Sequence, residues 1–311
     1  MDALHPSKII FRSTLAPNNN KYAPMSKQSF LFYAQDGYPL SADFYPHQGS
    51  KKPHPILIAP ATGIIKGFYR HFAHYLSTLG YDVISFDFRG IGESLHGDLH
   101  NSNASILDWG QSDLPAAVDC LLAHTQAEKI ILVGHSTGGQ LLGVMPNFQR
   151  VAKLVAIAGS SGHLRSLKGR TKLLAPVMFF AIFPLGTLLK GYAPTKMIGM
   201  VENLPQHVGR DWAKFCRHPS YIMNAKSQLT FDHHQHVNCP ITAIYASDDE
   251  IATRRNVQDL LRLYPKAPSN LIELKPKQYQ HRHIGHMLMF KSSHQNLWLA
   301  HHYRYFNTLK K

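Results

Sequence analysis

The sequence predicts an α/β fold, in which a mostly parallel β-sheet is flanked by helices and carries an inserted helical lid. Short apolar runs of strand length alternate with amphipathic segments of helix length, and Gly- or Pro-containing turns separate them. A chain of 311 residues with 44% hydrophobic and 17% charged residues can bury the core that such a sheet needs. One long stretch, between Gly159 and Pro240, interrupts the alternation without a convincing strand.

The elements follow from the pattern in chain order. Apolar runs at 30–34 and 40–45 flank an Asp-Gly turn, which predicts a hairpin. The helix predicted at 68–79 has one apolar stripe and ends at Gly80. Strand–helix alternation after the hairpin implies parallel strands that are covered on both faces. Further strands are predicted at 55–59, 83–88, 129–133, 154–158, 241–245 and 271–274, and further helices at 113–123, from Gly139 onward and at 257–263.

The chain divides into a predicted core and two segments outside it. Residues 1–27 lack the apolar run and cleavage site of a secretory leader, and we expect a loose N-terminal leader there, with Met25 as an alternative start. We assign residues 28–159 and 240–311 to the α/β core and residues 160–239 to the lid. Three widely spaced cysteines without a CxxC pair argue against a disulfide scaffold and favour a cytoplasmic location.

The strongest chemical signal is the segment GHSTGG at 134–139, which follows an apolar strand and precedes a helical pattern. This context predicts a sharp strand-to-helix turn that exposes the hydroxyl of Ser136. Side chains at the flanks of so tight a turn would collide, which explains Gly134 and Gly138. A helix N-terminus behind the turn would offer free N–H groups and a positive dipole to a developing anion. Ser136 is therefore the candidate nucleophile.

Carboxylates and histidines follow the last two predicted strands, 241–245 and 271–274. A serine hydroxyl needs a base to take its proton, and the base needs an acidic partner. Parallel strands end at one edge of the sheet, so these groups should converge on the nucleophile. Gly285 and the apolar run 287–290 favour His286, because they allow close backbone approach and firm packing of the ring. The candidate acids are Asp248, Asp249 and Glu250, and the candidate bases are His281, His283 and His286.

With these residues the chain resembles the α/β-hydrolase family, in its serine esterase and lipase-like branch, over roughly residues 29–311. The order nucleophile, acid, base is the order of that family. The segment DFRGIGES at 87–94 resembles the family's D-x-R-G-x-G-x-S turn. The segment PATG at 60–63 stands where the family has a His-Gly loop, with Pro-Ala in place of His-Gly. The resemblance implies an acyl-enzyme mechanism without a cofactor or a metal.

The resemblance also implies roles for individual residues. The segment ASDDEI at 246–251 fits the family pattern G-x-x-D-x-x-V/P and assigns the acid, and a Gly-His pair before the last helix assigns the base. A serine nucleophile disfavours the dehalogenase and epoxide-hydrolase branches, which use an aspartate. The implied catalytic residues are Ser136, Asp249 and His286, and the implied oxyanion hole is formed by the backbone N–H groups of Thr62 and Thr137.

The net charge of +14 is unevenly distributed. Residues 160–240 carry +7 and residues 251–311 carry +9, whereas residues 55–159 carry −2. A basic face can attract an anionic membrane, nucleic acid or an anionic substrate such as an acyl-CoA. No nucleic-acid-binding motif accompanies the charge, so nucleic acid is not an expected partner. The 21 histidines include no HExxH helix, and we interpret them as surface residues rather than a metal site.

An uncharged run of 17 residues, 173–189, lies between Lys172 and Lys190. Its length is at the short limit of about 17–25 residues for a membrane-spanning helix. A single span would leave Ser136 on one side of the bilayer and the other catalytic candidates on the opposite side. We therefore predict a lid segment that covers the acyl pocket. Peripheral contact of this segment with an anionic membrane surface and purely internal packing both fit the pattern.

Together these observations predict a cytoplasmic serine hydrolase that cleaves a carboxylic ester of a small-molecule acyl substrate, with a thioester or amide as a less favoured substrate. Two alternatives stay open. An acyltransferase on the same fold would pass the acyl group to an alcohol or thiol instead of water. A non-catalytic basic binding protein would keep the fold without the reaction.

Overall fold

The computed structural model describes residues 10–11 and 26–299, and a nine-stranded sheet lies at its centre. The described residues form eleven strands, of which β8 and β9 make a separate two-stranded sheet. The strands are β1 (Ile10–Phe11), β2 (Gln28–Tyr33), β3 (Pro39–Tyr45), β4 (Ile56–Ala59), β5 (Val83–Phe86), β6 (Ile130–His135), β7 (Val151–Ile157), β8 (Tyr192–Ala193), β9 (Leu204–Pro205), β10 (Ile241–Ala246) and β11 (Ser269–Leu274). The sheet order is β1-β2-β3-β5-β4-β6-β7-β10-β11. β1, β2 and β3 pair antiparallel, and the other six strands are mutually parallel. The predicted mostly parallel sheet is confirmed.

Helices cover both faces of the sheet and bury two apolar clusters. Within β6, Ile131 and Val133 belong to one cluster, and Ile130 and Leu132 belong to the other. This alternation follows from the two-residue period of a strand, and burial on both faces explains the uninterrupted apolar runs in the sequence. The helices are α1 (Arg70–Thr78), α2 (Ile106–Asp108), α3 (Leu114–Thr125), α4 (Gly169–Val177), α5 (Phe183–Lys190), α6 (Gln206–Phe215) and α7 (Arg254–Leu261).

The helix predicted from Gly139 onward does not form. The chain makes two short 3₁₀ turns, Ser136–Gly139 and Leu142–Val144, with irregular backbone between them. Glycines weaken a helix here, and they are needed because a Cβ on Gly143 would lie 2.3 Å from the His234 ring. The expected helix dipole behind the nucleophile turn is therefore absent, and only the backbone N–H groups of the turn remain.

Two segments differ in part from the predicted organisation. β1 lies within the predicted loose leader at 1–27 and pairs with β2, so a short piece of that segment extends the sheet; Met25 lies outside the described residues. The insertion at 160–239 contains the antiparallel hairpin of β8 and β9, where no strand was predicted. Strands of two residues are too short to produce a readable hydrophobic period.

The turn at 87–94 is held in place by hydrogen bonds to buried carboxylates. The Asp87 carboxylate accepts N–H groups from Lys66 and Glu93, at 2.5 and 3.1 Å. The Arg89 guanidinium donates to the buried Asp113 carboxylate at 2.6 Å. Burial raises the pKa of Asp113 to about 7 even though this arginine lowers it. Asp113 thus ties the turn to α3 rather than capping that helix.

One continuous helix dominates the insertion. α4, a π-helical turn at Met178–Ile182 and α5 run together from Gly169 to Lys190, and we call this element the insertion helix. Pro184 cannot donate a helical hydrogen bond, and the π-helical turn before it accommodates that loss. Among the described residues this is the one helix that is long and apolar enough to cross a membrane, by length and composition alone.

Candidate active site

Ser136 lies at the carboxyl end of β6 with a φ of 49°, a left-handed conformation that L-residues rarely adopt. A Cβ on Gly134 would lie 2.4 Å from the backbone of Gly138, and a Cβ on Gly138 would lie 2.3 Å from the Ala59 carbonyl oxygen. The two glycines therefore permit the predicted sharp turn. Strain of this kind is concentrated at functional sites, and the turn leaves Ser136 partly exposed.

His286 and Asp249 form a hydrogen-bonded pair, with the ring Nδ1 2.8 Å from a carboxylate oxygen. The other oxygen of Asp249 accepts the N–H groups of Ile251 and Ala252, at 2.8 and 2.9 Å. Burial alone would raise the pKa of Asp249, but the His286 ring and these two N–H groups bring it below its usual value. The carboxylate therefore stays ionised and orients the ring.

The neighbours of Asp249 have other partners. The Asp248 carboxylate binds the His283 ring at 2.5 Å and accepts the N–H groups of Ile284 and Gly285, at 3.0 and 3.1 Å. Asp248 thus anchors the loop that carries His286. The sequence left Asp248 open as the acid and His283 open as the base, and the structure pairs these two alternatives with each other.

Glu250, the third adjacent carboxylate, holds the start of the insertion helix. It accepts the backbone N–H of Thr171 at 2.8 Å and the hydroxyl of the same residue at 2.7 Å. These bonds lower the pKa of Glu250. The three consecutive acidic residues therefore bind three different parts of the molecule.

His281, the remaining candidate base, stacks on His294 with ring centroids 3.9 Å apart.

His135 connects the three loops that surround Ser136. Its Nε2 donates to the His286 carbonyl oxygen at 3.0 Å, so its Nδ1 must accept from the Tyr69 hydroxyl at 2.9 Å. The same hydroxyl accepts the N–H of Ala61 at 3.0 Å. The residue before the candidate nucleophile thereby fixes both the His286 loop and the 60–63 loop. No local signal identified this bridge, because its members come from distant parts of the chain.

Ser136 and His286 are brought to the same edge of the sheet without a direct bond. Within the described residues, no hydrogen bond joins the Ser136 hydroxyl to the His286 ring. His135, next to Ser136 in the chain, has its ring centroid 5.5 Å from that of His286. Contacts between a nucleophile and its base are often long before substrate binds and tighten afterwards.

The backbone N–H groups of Thr62 and Thr137 are free of protein acceptors within the described residues. Both residues are buried, and their hydroxyl oxygens lie 2.5 Å apart in a direct hydrogen bond. Gly63 adopts a φ of 69°, which lets the chain turn immediately after Thr62. Two unpaired backbone N–H groups, on residues whose side chains touch, can bind an anionic oxygen beside Ser136.

An apolar cavity with a volume of about 270 Å³ lies beneath the insertion helix. Ile251, whose N–H binds Asp249, and Met200 are among its lining residues. Met200 Cε would lie 3.3 Å from a Cβ on Gly63, next to Thr62. The cavity therefore lies against both the acid loop and the 60–63 loop, where it can accept an apolar group of a substrate.

No group of three or more His, Cys, Asp or Glu side chains is arranged to hold a metal ion in the part of the chain that the structure describes. The clustered histidines at 233–236 and 281–283 instead make ring stacks and single hydrogen bonds.

The buried His135 ring predicts a loss of stability in acid. Burial and the nearby His286 ring lower the pKa of His135 to about 3, whereas an unfolded histidine titrates near 6.5. Between these values only the unfolded state binds the proton, so stability is full above about pH 6.5 and falls as pH decreases towards about 3. We expect urea unfolding at pH 7 and pH 5 to show a smaller pH difference for His135→Gln than for wild type. The exposed control His236→Gln should keep the wild-type difference, and an unchanged difference in His135→Gln would contradict the assignment.

A mostly parallel sheet with a strained serine turn after a central strand and a His–Asp pair at its carboxyl edge defines a hydrolase of the α/β class. The family model described as the alpha/beta hydrolase family matches residues 56–299. This match covers more than half of the chain, and the chain belongs to that family. The resemblance inferred from the sequence motifs is confirmed.

Solved structures share the fold at low sequence identity. A soluble variant of monoglyceride lipase from Saccharomyces cerevisiae has a TM-score of 0.60 and 16% identity, covering 92% of this chain and 97% of its own. An esterase of Pyrococcus furiosus has a TM-score of 0.58 and 15% identity, covering 97% and 98%. Est816, described as an N-acyl homoserine lactone degrading enzyme, has a TM-score of 0.54 and 18% identity, covering 86% and 98%. A search of curated protein sequences finds no significant match.

Proposed function

We propose that this protein is a serine hydrolase that cleaves a carboxylic ester through an acyl-enzyme, with Ser136, His286 and Asp249 as its catalytic residues. The observation that carries the proposal is the His286–Asp249 pair at 2.8 Å, held next to Ser136 by the His135 bridge. Three thiols without a disulfide, at Cys120, Cys216 and Cys239, agree with a cytoplasmic location for this enzyme.

In the acylation step, Ser136 Oγ forms a bond to the ester carbonyl carbon, and its proton passes to His286 Nε2. The His286 Nδ1–H donates to Asp249, which fixes the tautomer and stabilises the imidazolium. The carbonyl π electrons move onto oxygen, and the resulting oxyanion is bound by the N–H groups of Thr62 and Thr137. Each such donor contributes about 10²- to 10³-fold to the rate in comparable enzymes.

Collapse of this intermediate breaks the bond between the acyl carbon and the leaving oxygen. His286 Nε2 returns its proton to that oxygen, so the alcohol leaves neutral and the acyl group stays on Ser136. A water molecule then attacks the acyl carbon while His286 takes one of its protons. The bond between the acyl carbon and Ser136 Oγ then breaks, and His286 Nε2 returns the proton to Ser136 Oγ. The carboxylic acid leaves, and Ser136 and His286 are restored to their starting states.

The cavity supports an ester with an apolar acyl group. Its inner wall includes Phe179, Ile182 and Trp212, which offer hydrophobic contact rather than hydrogen bonds. Burying each methylene of an acyl chain contributes about 0.8 kcal/mol, so binding should tighten as the chain lengthens until the cavity is full.

We expect a fluorophosphonate probe to label the protein at Ser136, as mapped by peptide mass spectrometry. A series of p-nitrophenyl esters should show kcat/KM rising by up to about fourfold per added methylene and then reaching a plateau. Product analysis in the presence of an added alcohol separates hydrolysis from acyl transfer. Absence of both labelling and turnover would contradict the proposal. If the main product formed with the added alcohol is an ester, the protein is an acyltransferase instead of a hydrolase.

A further inference from the structure

The outward face of the insertion helix is apolar along its whole length. Ala175, Phe179 and Phe183 are buried against the protein, as expected for the inner side of a helix. The opposite side of a helix in a water-soluble protein is normally polar. Here Leu173 is 74% exposed, Leu188 80% and Leu189 70%. The exposed apolar residues are Leu173, Leu174, Val177, Phe180, Leu185, Leu188 and Leu189, which we call the outer apolar face.

Cations flank the outer apolar face at both ends. Lys168 and Lys172 lie at its beginning and Lys190 at its end, and all three are exposed. Among the described residues, none of them forms a salt bridge with a carboxylate. Arg217 adds a fourth cation, with its guanidinium 4.8 Å from the centre of the Phe180 ring. An apolar strip between free cations complements a surface that has acyl chains below and anionic headgroups above.

Contacts of the inner side hold the helix against the protein. The Phe179 and Phe183 rings pack on Trp212, with centroids 5.3 and 6.1 Å apart. Glu250 binds the N-terminal turn of the helix at Thr171, the third residue of the helix. A membrane-spanning arrangement would break all of these contacts. The outer apolar face is therefore suited to lie along a membrane surface and not to cross it.

A second copy of the chain fits this face poorly. Residues 160–240 carry a net charge of +7, and a symmetric dimer through the face would bring two such segments together. Like charges brought close in an interface are unfavourable. An anionic bilayer meets the same cations with opposite charge, so charge complementarity distinguishes the two occupants.

We propose that the outer apolar face is a docking surface for anionic phospholipid bilayers, on which the protein binds peripherally with the insertion helix parallel to the membrane. Leu174 and Val177 are exposed at this surface and also line the cavity beneath the helix. The cavity therefore opens where the protein meets the bilayer. For the substrate this implies an ester with a membrane-soluble acyl chain, and that part of the inference rests on the proposed function.

Vesicle flotation tests the docking surface directly. Full-length wild type should float with vesicles of equal parts phosphatidylcholine and phosphatidylglycerol, bind phosphatidylcholine alone much more weakly, and lose binding at high salt. The double variant Leu188→Ser/Leu189→Ser should bind the mixed vesicles at least about tenfold more weakly, because both exposed side chains lose their apolar contact. Lys190→Glu should lose at least about fivefold, whereas the exposed control Lys266→Glu, outside the insertion, should bind like wild type.

Turnover of a short, water-soluble ester should be the same in these three variants as in wild type, which separates docking from catalysis. If the protein binds vesicles but is not labelled by a fluorophosphonate, the proposed function is contradicted and the docking surface is supported. The docking surface is overturned if wild type fails to float, or if it binds neutral vesicles equally well at all salt concentrations. A solution dimer that the double leucine variant dissociates would assign the face to a second copy. Retention in membranes after carbonate extraction would show a spanning helix.

Discussion

Replacing Ser136 with alanine is expected to leave a folded protein whose ester turnover is lower by about 10⁴- to 10⁶-fold. The substitution removes the atom that forms the acyl bond, and enzymes with a comparable catalytic triad lose about this much when the serine is removed. Alanine keeps the size of the turn, so Gly134 and Gly138 can still pack against each other and against β4. The measurement is kcat for a p-nitrophenyl ester, together with loss of fluorophosphonate labelling.

A matched control for this prediction is Ser269→Ala. Ser269 is exposed at the amino end of β11. It therefore lies at the opposite end of the strand from the carboxyl edge of the sheet, where Ser136 lies. Its replacement should leave both turnover and thermal unfolding unchanged. Turnover by Ser136→Ala at a rate close to wild type would show that the reaction takes place elsewhere, and would contradict the catalytic role of the serine turn.

The second large effect is expected for Asp249→Asn, with a loss of about 10⁴-fold in kcat. An asparagine amide facing His286 Nδ1 would favour the wrong imidazole tautomer, and a comparable substitution in a serine hydrolase costs about that much. The carboxylate of Asp249 is buried and bonded to two backbone N–H groups, so no neighbouring carboxylate can take its place. Kinetics across a pH range provide the measurement.

Asp248→Asn is the matched control, because it changes the adjacent carboxylate in the same way. Asp248 positions the loop through Ile284 and Gly285, and its loss should lower kcat by only about tenfold. The pH profile of kcat/KM should keep its wild-type shape, because the His286–Asp249 pair is intact. Equal losses in the two variants, or a larger loss in Asp248→Asn, would transfer the role of the acid to Asp248.

Local sequence signals predicted the features that depend on neighbouring residues. The serine turn is one of them, because its shape follows from two glycines beside an apolar strand, and the structure shows the strained φ at Ser136. The opening hairpin and the parallel strands are others, since hydrophobic period and turn residues act over a few positions. The helix expected after Gly139 does not form. Position 143 in this segment requires a glycine, which weakens a helix, because a Cβ there would collide with the ring of a distant residue, His234.

Interactions between distant segments were not readable from the sequence. Asp248, Asp249 and Glu250 have similar side chains and adjacent positions, and only the folded chain shows that they bind the His283–Gly285 segment, the His286 ring and Thr171, respectively. The bridge through His135 and Tyr69 joins three loops that are far apart in the chain. Such contacts depend on where strands end in space, which no local pattern encodes.

The sequence by itself therefore determined the alternation of strands and helices in the core, the family and the candidate nucleophile, because these follow from short-range periodicity and from motifs of adjacent residues. It also marked the apolar run at 173–189, since its length and lack of charge are visible in composition alone. Only the tertiary structure decided which side of that run is buried. Phe179 faces Trp212 and Phe180 faces outward, because packing against α6 selects one side of a helix that is apolar all round.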